Sequence, residues 1–304
     1  MDSRPLVSIL INNYNYAKFL DQAIDSALAQ TYDNVEVIVV DDGSTDTSLE
    51  IMAGYDEQIV AVTKENGGQA SAYNAGFAAS RGEIICMLDA DDLFLPQKVS
   101  SVVEAYENNP EIGWCFDLVR EFSDNTGLCH PRPPSYVPGR CDARASTAAG
   151  KQPAVRTASS GLSFRREILA RILPMPEVIR ITSDNYIKHA ALALAEGWMV
   201  AEELSWQRLH SDNAYTKRMT GKERLVGRTQ LLTGIFLHAR HPSLHRLGRN
   251  IFCRGLGRLW ATGGIDTECR ELMVSFLRPM TFPVKSEVLM RAAYWRAWLL
   301  FNPR

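Results

Sequence analysis

Three aspartates stand within four residues at Asp89-Ala90-Asp91-Asp92, directly after the apolar run Ile84-Ile85-Cys86-Met87-Leu88. A short apolar run of that kind reads as a buried strand, so the carboxylates are delivered where a strand leaves the core. Alternation along an extended chain points Asp89 and Asp91 to the same side. Like charges gathered in this way repel, and the cluster is costly unless a cation or a bound proton compensates. An all-oxygen ligand set favours a hard divalent ion, Mg²⁺ or Mn²⁺, and such ions commonly bridge a protein carboxylate to substrate phosphates. The plainer alternative is a solvated loop whose aspartates cap a helix near Pro96.

The elements that must position this cluster alternate between strand and helix. Apolar runs at Val7–Ile11, Val35–Val40 and Ile59–Thr63 read as strands. Between them, Phe19, Leu20, Ala23, Ile24, Ala27 and Leu28 recur at helical spacing, and a helix is expected from about Asp46 to Tyr55. Gly67-Gly68 breaks the chain before a helix over Gln69–Ser80. That order implies an α/β fold, a mostly parallel sheet with helices on both faces. Ligands of such sheets bind beyond the carboxyl ends of the strands. Three polar loops lie there: Asn12–Asn15, Asp41–Ser44 and Asp89–Asp92.

From Ser123 to Ala158 the chain is rich in Pro, Gly, Ser and Ala without a period, which predicts a lid or a disordered segment. Patterning resumes at Ser160–Phe164, followed by a helix through Leu173, a helix over Asp184–Glu196, and short strands at Trp198–Val200 and Leu204–Leu209. Beyond Thr216 everything reads as helix: Leu225–Ala239, His245–Ala261, Thr267–Leu277 and Lys285–Phe301. Two domains are therefore expected, a catalytic one over 1–216 and a basic helical region over 217–304.

With 304 residues, 46% of them hydrophobic, the chain can bury a substantial core. Its net charge of −2 hides an uneven distribution, since residues 217–304 carry 16 Lys/Arg against 5 Asp/Glu. A basic tail suggests an anionic surface to meet. The six cysteines show neither a C-x-x-C pair nor zinc-like spacing. No secretory signal and no apolar run of membrane-spanning length is seen, so a cytoplasmic location is expected. No nucleic-acid partner is anticipated.

The segments Val7–Asn15, Val39-Val40-Asp41-Asp42-Gly43-Ser44-Thr45-Asp46, Asn66–Gly76 and Leu88–Asp92 together resemble the family 2 glycosyltransferases of GT-A fold, in family order and at family spacing over roughly residues 5–215. The resemblance implies inverting transfer of a sugar from a nucleotide-diphosphate donor, a UDP-sugar by family habit, to an acceptor hydroxyl. It implies the help of a divalent cation (Mn²⁺ or Mg²⁺), in bacterial polysaccharide or glycolipid assembly. Asn12 and Tyr14 would line the base pocket, Asp42 would accept a hydrogen bond from the base, and Asp41 would lie close by. The competing role for Asp41–Asp46 is a turn and helix cap. Gln69 occupies a position near the phosphates where many relatives carry a basic residue. Asp89 and Asp91 would form the Asp-x-Asp element, with Asp91 touching ribose and metal, Asp92 a second ligand and His210 a further metal or phosphate contact, the alternative for His210 being a structural role. Asp184, in Thr182-Ser183-Asp184-Asn185, would be the general base, with helix capping as its alternative role.

Other classes fit less well. Val7–Asn15 contains no glycine, which argues against the Gly-rich loops of a nucleotidylyltransferase or a dinucleotide oxidoreductase. A non-catalytic nucleotide-sugar-binding or interaction protein on the same scaffold would explain the basic tail but leaves the acidic cluster without purpose. The acceptor expected is a glycan or a lipid-linked acceptor. Arginines mixed with Leu, Trp and Phe over Leu244–Trp260 and Val288–Phe301 suggest peripheral attachment at the inner face of a membrane, the alternative being packing on the catalytic domain.

Overall fold

The computed structural model describes residues 4–123, 129–130, 137–155, 157–210, 213 and 222–302. The chain divides into two compact units, the first made of Met1–Ala143, Ala154–Arg180 and Leu194–Asn213, the second of Arg144–Pro153, Ile181–Ala193 and Ala214–Arg304. The expected boundary at 216/217 falls outside the described residues.

The first unit is built on one ten-stranded sheet. Its strands are β1 (Val7–Asn13), β2 (Val35–Asp41), β3 (Val60–Thr63), β4 (Ile84–Asp89), β5 (Leu93–Phe94), β6 (Trp114–Phe122), β7 (Cys129–His130), β8 (Gly139–Cys141), β9 (Leu162–Arg165) and β10 (Gly197–Arg208). The order is β3-β2-β1-β4-β9-β6-β10-β5, with β7 paired to β6 and β8 to β10. The block β3-β2-β1-β4 is wholly parallel, as is β6 with β10; β9, β5, β7 and β8 run antiparallel to their neighbours.

Strands buried on both faces need apolar residues at every position, which is why β1 and β2 read as continuous runs rather than alternating ones. Val7, Ile9 and Ile11 of β1 and Val37 and Val39 of β2 share a core with α1 (Ala17–Leu28), α2 (Ser48–Ala53) and α4 (Lys98–Asn108). Leu10 and Val40 face the other way, against α3 (Gln69–Ala79), whose Gly76 approaches both side chains. After β9 comes the short α6 (Arg166–Leu169).

The second unit is helical: α5 (Arg144–Ala148), α7 (Asp184–Leu194), α8 (Glu223–Arg240), α9 (His245–Ala261), α10 (Thr267–Leu277) and α11 (Phe282–Phe301). Two glycines seven residues apart on α8, Gly227 and Gly234, face two on α9, Gly248 and Gly255. A Cβ on Gly234 would lie 2.4 Å from the Phe252 backbone nitrogen, and one on Gly255 2.3 Å from that of Leu231. The helices therefore touch backbone to backbone, and only glycine fits the seam.

Several expectations change. Part of the patternless stretch 123–158 is ordered, since β8 and α5 lie within it; 124–128, 131–136 and 156 are outside the described residues. The two short strands around residues 198–209 are one strand, β10, whose pairing with β6 shifts register between Met199 and Glu203 and again before Ser205. Those shifts break the alternation that a sequence period relies on. The helix expected through Leu173 stops at Leu169. The central strand β6 was not anticipated, because Trp114–Phe122 mixes three charged residues into an otherwise apolar run.

In an isolated helix, Gly→Ala stabilises by about 1 kcal/mol. At position 234 the sign should reverse: Gly234→Ala forces α8 and α9 apart and is expected to cost about 1–3 kcal/mol, seen as a lower urea midpoint.

Candidate functional site

The ends of β1, β2 and β4 lie side by side because their registers align. Asn12 is paired with Asp89 across β1 and β4, and Asn13 with Asp41 across β1 and β2. The two consecutive amides point to opposite faces of the sheet and each holds one acidic loop. Asn12 Nδ2 donates to Asp89 Oδ1 at 2.7 Å, and the Tyr73 hydroxyl (3.2 Å) and Gln69 Nε2 (3.4 Å) reach the same oxygen. Asn13 Nδ2 donates to Asp41 Oδ2 at 2.8 Å.

The three aspartates after β4 do converge: Asp89, Asp91 and Asp92 each place one carboxylate oxygen within 4.8 Å of the others. Strand alternation is not the cause. β4 ends at Asp89, and the Asp92 amide donates back to the Asp89 carbonyl at 3.0 Å, so a tight turn gathers the side chains. Asp92 is almost fully buried; the Ser160 hydroxyl donates to it at 2.6 Å and the Arg208 backbone amide at 3.0 Å. Burial, then the charges of Asp91 and Asp89, raise its pKa well above the ordinary carboxylate range, against the pull of those two hydrogen bonds. Asp91, also buried, accepts from Asn213 Nδ2 at 3.1 Å and lies 3.0 Å from His210 Nε2. The His210 ring is in turn held by Phe19 (4.6 Å between centroids) and Tyr16 (5.7 Å).

The repulsion that adds to burial in raising the Asp92 pKa is what a divalent cation relieves. An oxygen-only set of three carboxylates fits a hard ion such as Mn²⁺ or Mg²⁺. Of the residues expected to serve a metal, Asp91 and Asp92 stand in this carboxylate group with Asp89, while His210 is placed against an Asp91 oxygen and is not one of the group's mutually close ligands.

The loop after β2 is also assembled, and its carboxylates are occupied. Asp41 Oδ1 accepts from the amides of Gly43 (3.1 Å) and Ser44 (2.8 Å). Asp42 accepts from Lys64 Nζ at 2.7 Å and from the amides of Gly67 (2.9 Å) and Gly68 (2.6 Å). Gly68 has φ 87°, and a Cβ there would lie 2.6 Å from the Arg180 carbonyl oxygen. Turn and cap geometry is thus present in this loop: Asp46 accepts from the amides of Ser48 (3.0 Å) and Ala17 (2.9 Å). Tyr14 is 46% exposed beside Asn13 and Asn15, so its ring face is open to stacking.

Asp184 belongs to the second unit, where it is the first residue of α7 rather than a cap outside the helix. Burial raises its pKa, opposed by the charge of Lys188, whose Nζ lies 3.9 Å away, and by backbone amides at the helix start. An aspartate so raised is a better proton acceptor near neutral pH than an exposed one.

The family model described as "Glycosyl transferase family 2" matches residues 8–173. The chain belongs to that family. It is 35% identical over 213 residues to an uncharacterized glycosyltransferase of Nostoc sp., covering 68% of this chain and 66% of the relative. It is 41% identical over 131 residues to one of Rickettsia typhi, covering 42% of this chain and 41% of that protein. The match thus spans less than two thirds of the length of either relative. Among solved structures, S. aureus TarS 1–349 in complex with UDP superposes with a TM-score of 0.64 at 15% identity, over 96% of this chain and 89% of that one. A mannosyltransferase of Pyrobaculum calidifontis in complex with GDP-Man and Mn²⁺ gives 0.53 at 19% identity, over 98% and 88%. At these identities the likeness is one of fold, and the fold is GT-A.

Two supports of this family member's acidic turn were not legible in the sequence. Arg208 is 2% exposed, its guanidinium lying between the rings of Phe19 (4.9 Å) and Phe122 (4.8 Å). Its Nε donates to the Asp91 carbonyl at 3.0 Å and its Nη2 to Gln22 at 2.8 Å, which fixes the backbone of the turn. The second support is a buried polar thread behind Ser160. Ser205 Oγ lies 2.7 Å from the Ser160 carbonyl and 2.9 Å from Asp117 Oδ2, and the other Asp117 oxygen is paired with Lys98. Both members of that pair are wholly buried, and burial lowers the pKa of Lys98 to about 8. No sequence period distinguishes a buried Lys or Arg from a solvated one; only the partner in space does.

Removing one member of the thread should be worse than removing both. Lys98→Met is expected to cost about 3–5 kcal/mol by stranding Asp117, while Lys98→Met/Asp117→Leu should recover much of that in thermal melts. At the turn, Asp91→Asn should leave the melting temperature within a few degrees but abolish Mn²⁺-dependent binding of the donor. Calorimetry that finds such binding intact in the variant would remove Asp91 from the metal site.

Proposed function

We propose that this family 2 enzyme moves a sugar from a nucleoside-diphosphate donor, a UDP-sugar, to an acceptor hydroxyl with inversion of the anomeric centre. The acceptor is a glycan or a lipid-linked molecule, and the pathway is bacterial polysaccharide or glycolipid assembly. The observation that carries the reading is the convergence of Asp89, Asp91 and Asp92 beside Asn12 at the carboxyl ends of parallel strands, where open α/β sheets bind ligands. TarS, of the same fold, has been seen with UDP and with UDP-GlcNAc, and the Pyrobaculum mannosyltransferase with GDP-Man.

In this reading Tyr14 stacks on the base, Asn12, Asp41, Asp42 and Gln69 shape the nucleotide site, and Asp89 and Asp91 face the ribose and diphosphate. Asp91 and Asp92, with His210, would hold a divalent cation, and such a cation would supply neutralisation of the departing diphosphate. Arg208 and Ser160 keep the carboxylates from spreading apart. Asp184 takes the proton of the acceptor hydroxyl as that oxygen bonds to the anomeric carbon and the bond to the phosphate oxygen breaks. Attack opposite the leaving group inverts the centre in one displacement.

Asp184→Asn tests the base assignment. Folding disfavours the ionised form of this carboxyl, so a neutral amide should not destabilise the protein. Turnover of a UDP-sugar with Mn²⁺ should fall by a factor on the order of 10² or more with donor affinity kept. The base works only when ionised, so kcat of the unmodified enzyme should decline as pH falls through a pKa lying above the usual Asp value, and the variant should lack that limb. Normal residual turnover per folded molecule would leave Asp184 a structural residue, and tight donor binding with no turnover by the unmodified protein under any condition would favour a non-catalytic binder.

A further inference from the structure

The two basic helices of the second unit differ in what they leave exposed. In α9 the apolar residues Leu247, Ile251, Leu256 and Leu259 are all buried, as is Leu244 just before it, so those side chains have no surface to offer. In α11 the reverse holds. Val288 and Ala292 are buried against the unit, while Phe282 (82% exposed), Met290 (66%), Tyr294 (63%), Leu300 (56%) and Phe301 (84%) face away from it. At 3.6 residues per turn these share one stripe with Leu289, Ala293 and Ala297, interrupted only by Ser286. A continuous apolar stripe along a 20-residue helix marks an interaction surface. No described helix is long and apolar enough to cross a membrane.

Cations border the stripe on both sides. Lys285 and Arg296 follow one edge, and beyond the other edge a cleft of about 320 Å³ opens between α9 and α11. Arg246, Arg249, Asn250 and Cys253 line it from α9, at helical spacing, and Glu287 and Arg291 from α11. Arg291 donates to Asn250 Oδ1 at 2.8 Å and pairs with Glu287 at 2.8 Å. Neither Arg246 nor Arg249 has a carboxylate partner among the described residues, so three guanidiniums stand against one carboxylate.

We propose that this face docks on an anionic phospholipid bilayer. The α11 stripe enters the boundary between headgroups and acyl chains, and the Arg246–Arg249–Arg291 cleft takes a lipid phosphate. Charge complementarity selects this occupant: an apolar protein groove would bury the stripe but leave unpaired arginines at its edge, whereas an anionic leaflet supplies both acyl chains and phosphates. A helix with apolar side chains on one face and arginine at the border lies in the interface rather than across it. The docking is independent of which sugar is transferred.

The full chain is mixed at low salt with vesicles of phosphatidylcholine alone or of equimolar phosphatidylcholine and phosphatidylglycerol, and the bound fraction is read by co-sedimentation. Binding is expected to the anionic vesicles only and to fade as salt screens it. Arg246→Gln/Arg249→Gln should weaken the partition coefficient on the order of tenfold and flatten its salt dependence. Met290→Ser/Tyr294→Ser should weaken it at least as much without changing that dependence. Equal recovery of the unmodified protein with both vesicle types overturns the proposal without recourse to any variant. So does stabilisation by inorganic phosphate, lost in Arg246→Gln/Arg249→Gln, without vesicle binding, which would make the cleft a free-anion site. A lipid-free dimer that Met290→Ser/Tyr294→Ser turns into a monomer would assign the stripe to a second copy of the chain instead.

Discussion

Holding three carboxylates close together, two of them buried, is the constraint on which the first unit is arranged. Each aspartate repels the others, and the turn that gathers them has no apolar reason to exist. The surroundings answer with fixed donors: Asn12 and Tyr73 on Asp89, Asn213 on Asp91, Ser160 and the Arg208 amide on Asp92. Hydrogen bonds to carboxylates are among the stronger ones a protein makes, and here they come from five separate places in the fold: β1, α3, β10 and the segments around Ser160 and Asn213. Even so, the proton affinity of Asp92 remains raised. The site is preorganised for positive charge rather than relaxed without it.

The supports extend outward in layers. Arg208 grips the backbone of the turn while its guanidinium is covered by two rings. Behind Ser160, the thread through Ser205 and Asp117 ends on Lys98, an ion pair with no exposure to solvent. Such a pair contributes little net stability against a well-packed apolar substitute, yet losing half of it is severe. Its effect is to fix where β6, β10 and the start of α4 lie relative to the acidic turn.

The second unit rests on a different constraint. Its central contact is a glycine seam, where α8 and α9 meet without side chains between them. That close approach buries the leucines of α9 completely and leaves α11 to cover one flank with only part of its apolar surface. The exposed stripe and the arginine cleft are thus two consequences of one packing choice.

Much of this was legible from the chain alone. Continuous β-branched runs gave the parallel strands, and polar residues immediately after each gave the loops at their carboxyl ends. The resemblance of Val7–Asn15, Asp41–Asp46, Asn66–Gly76 and Leu88–Asp92 to one family was carried by spacing along the sequence, which is local information. The tertiary structure decided what depends on partners distant in sequence. It replaced strand alternation with a turn as the reason Asp89, Asp91 and Asp92 meet, and it showed Asp42 committed to Lys64 and two glycine amides. Arg208 and Lys98 turned out to be buried braces rather than surface charges, and the arginine-rich tail split into one buried apolar face and one exposed one. A sequence period reports which residues share a face of their own element, but burial and charge pairing are properties of two elements at once, and only packing brings the second one in.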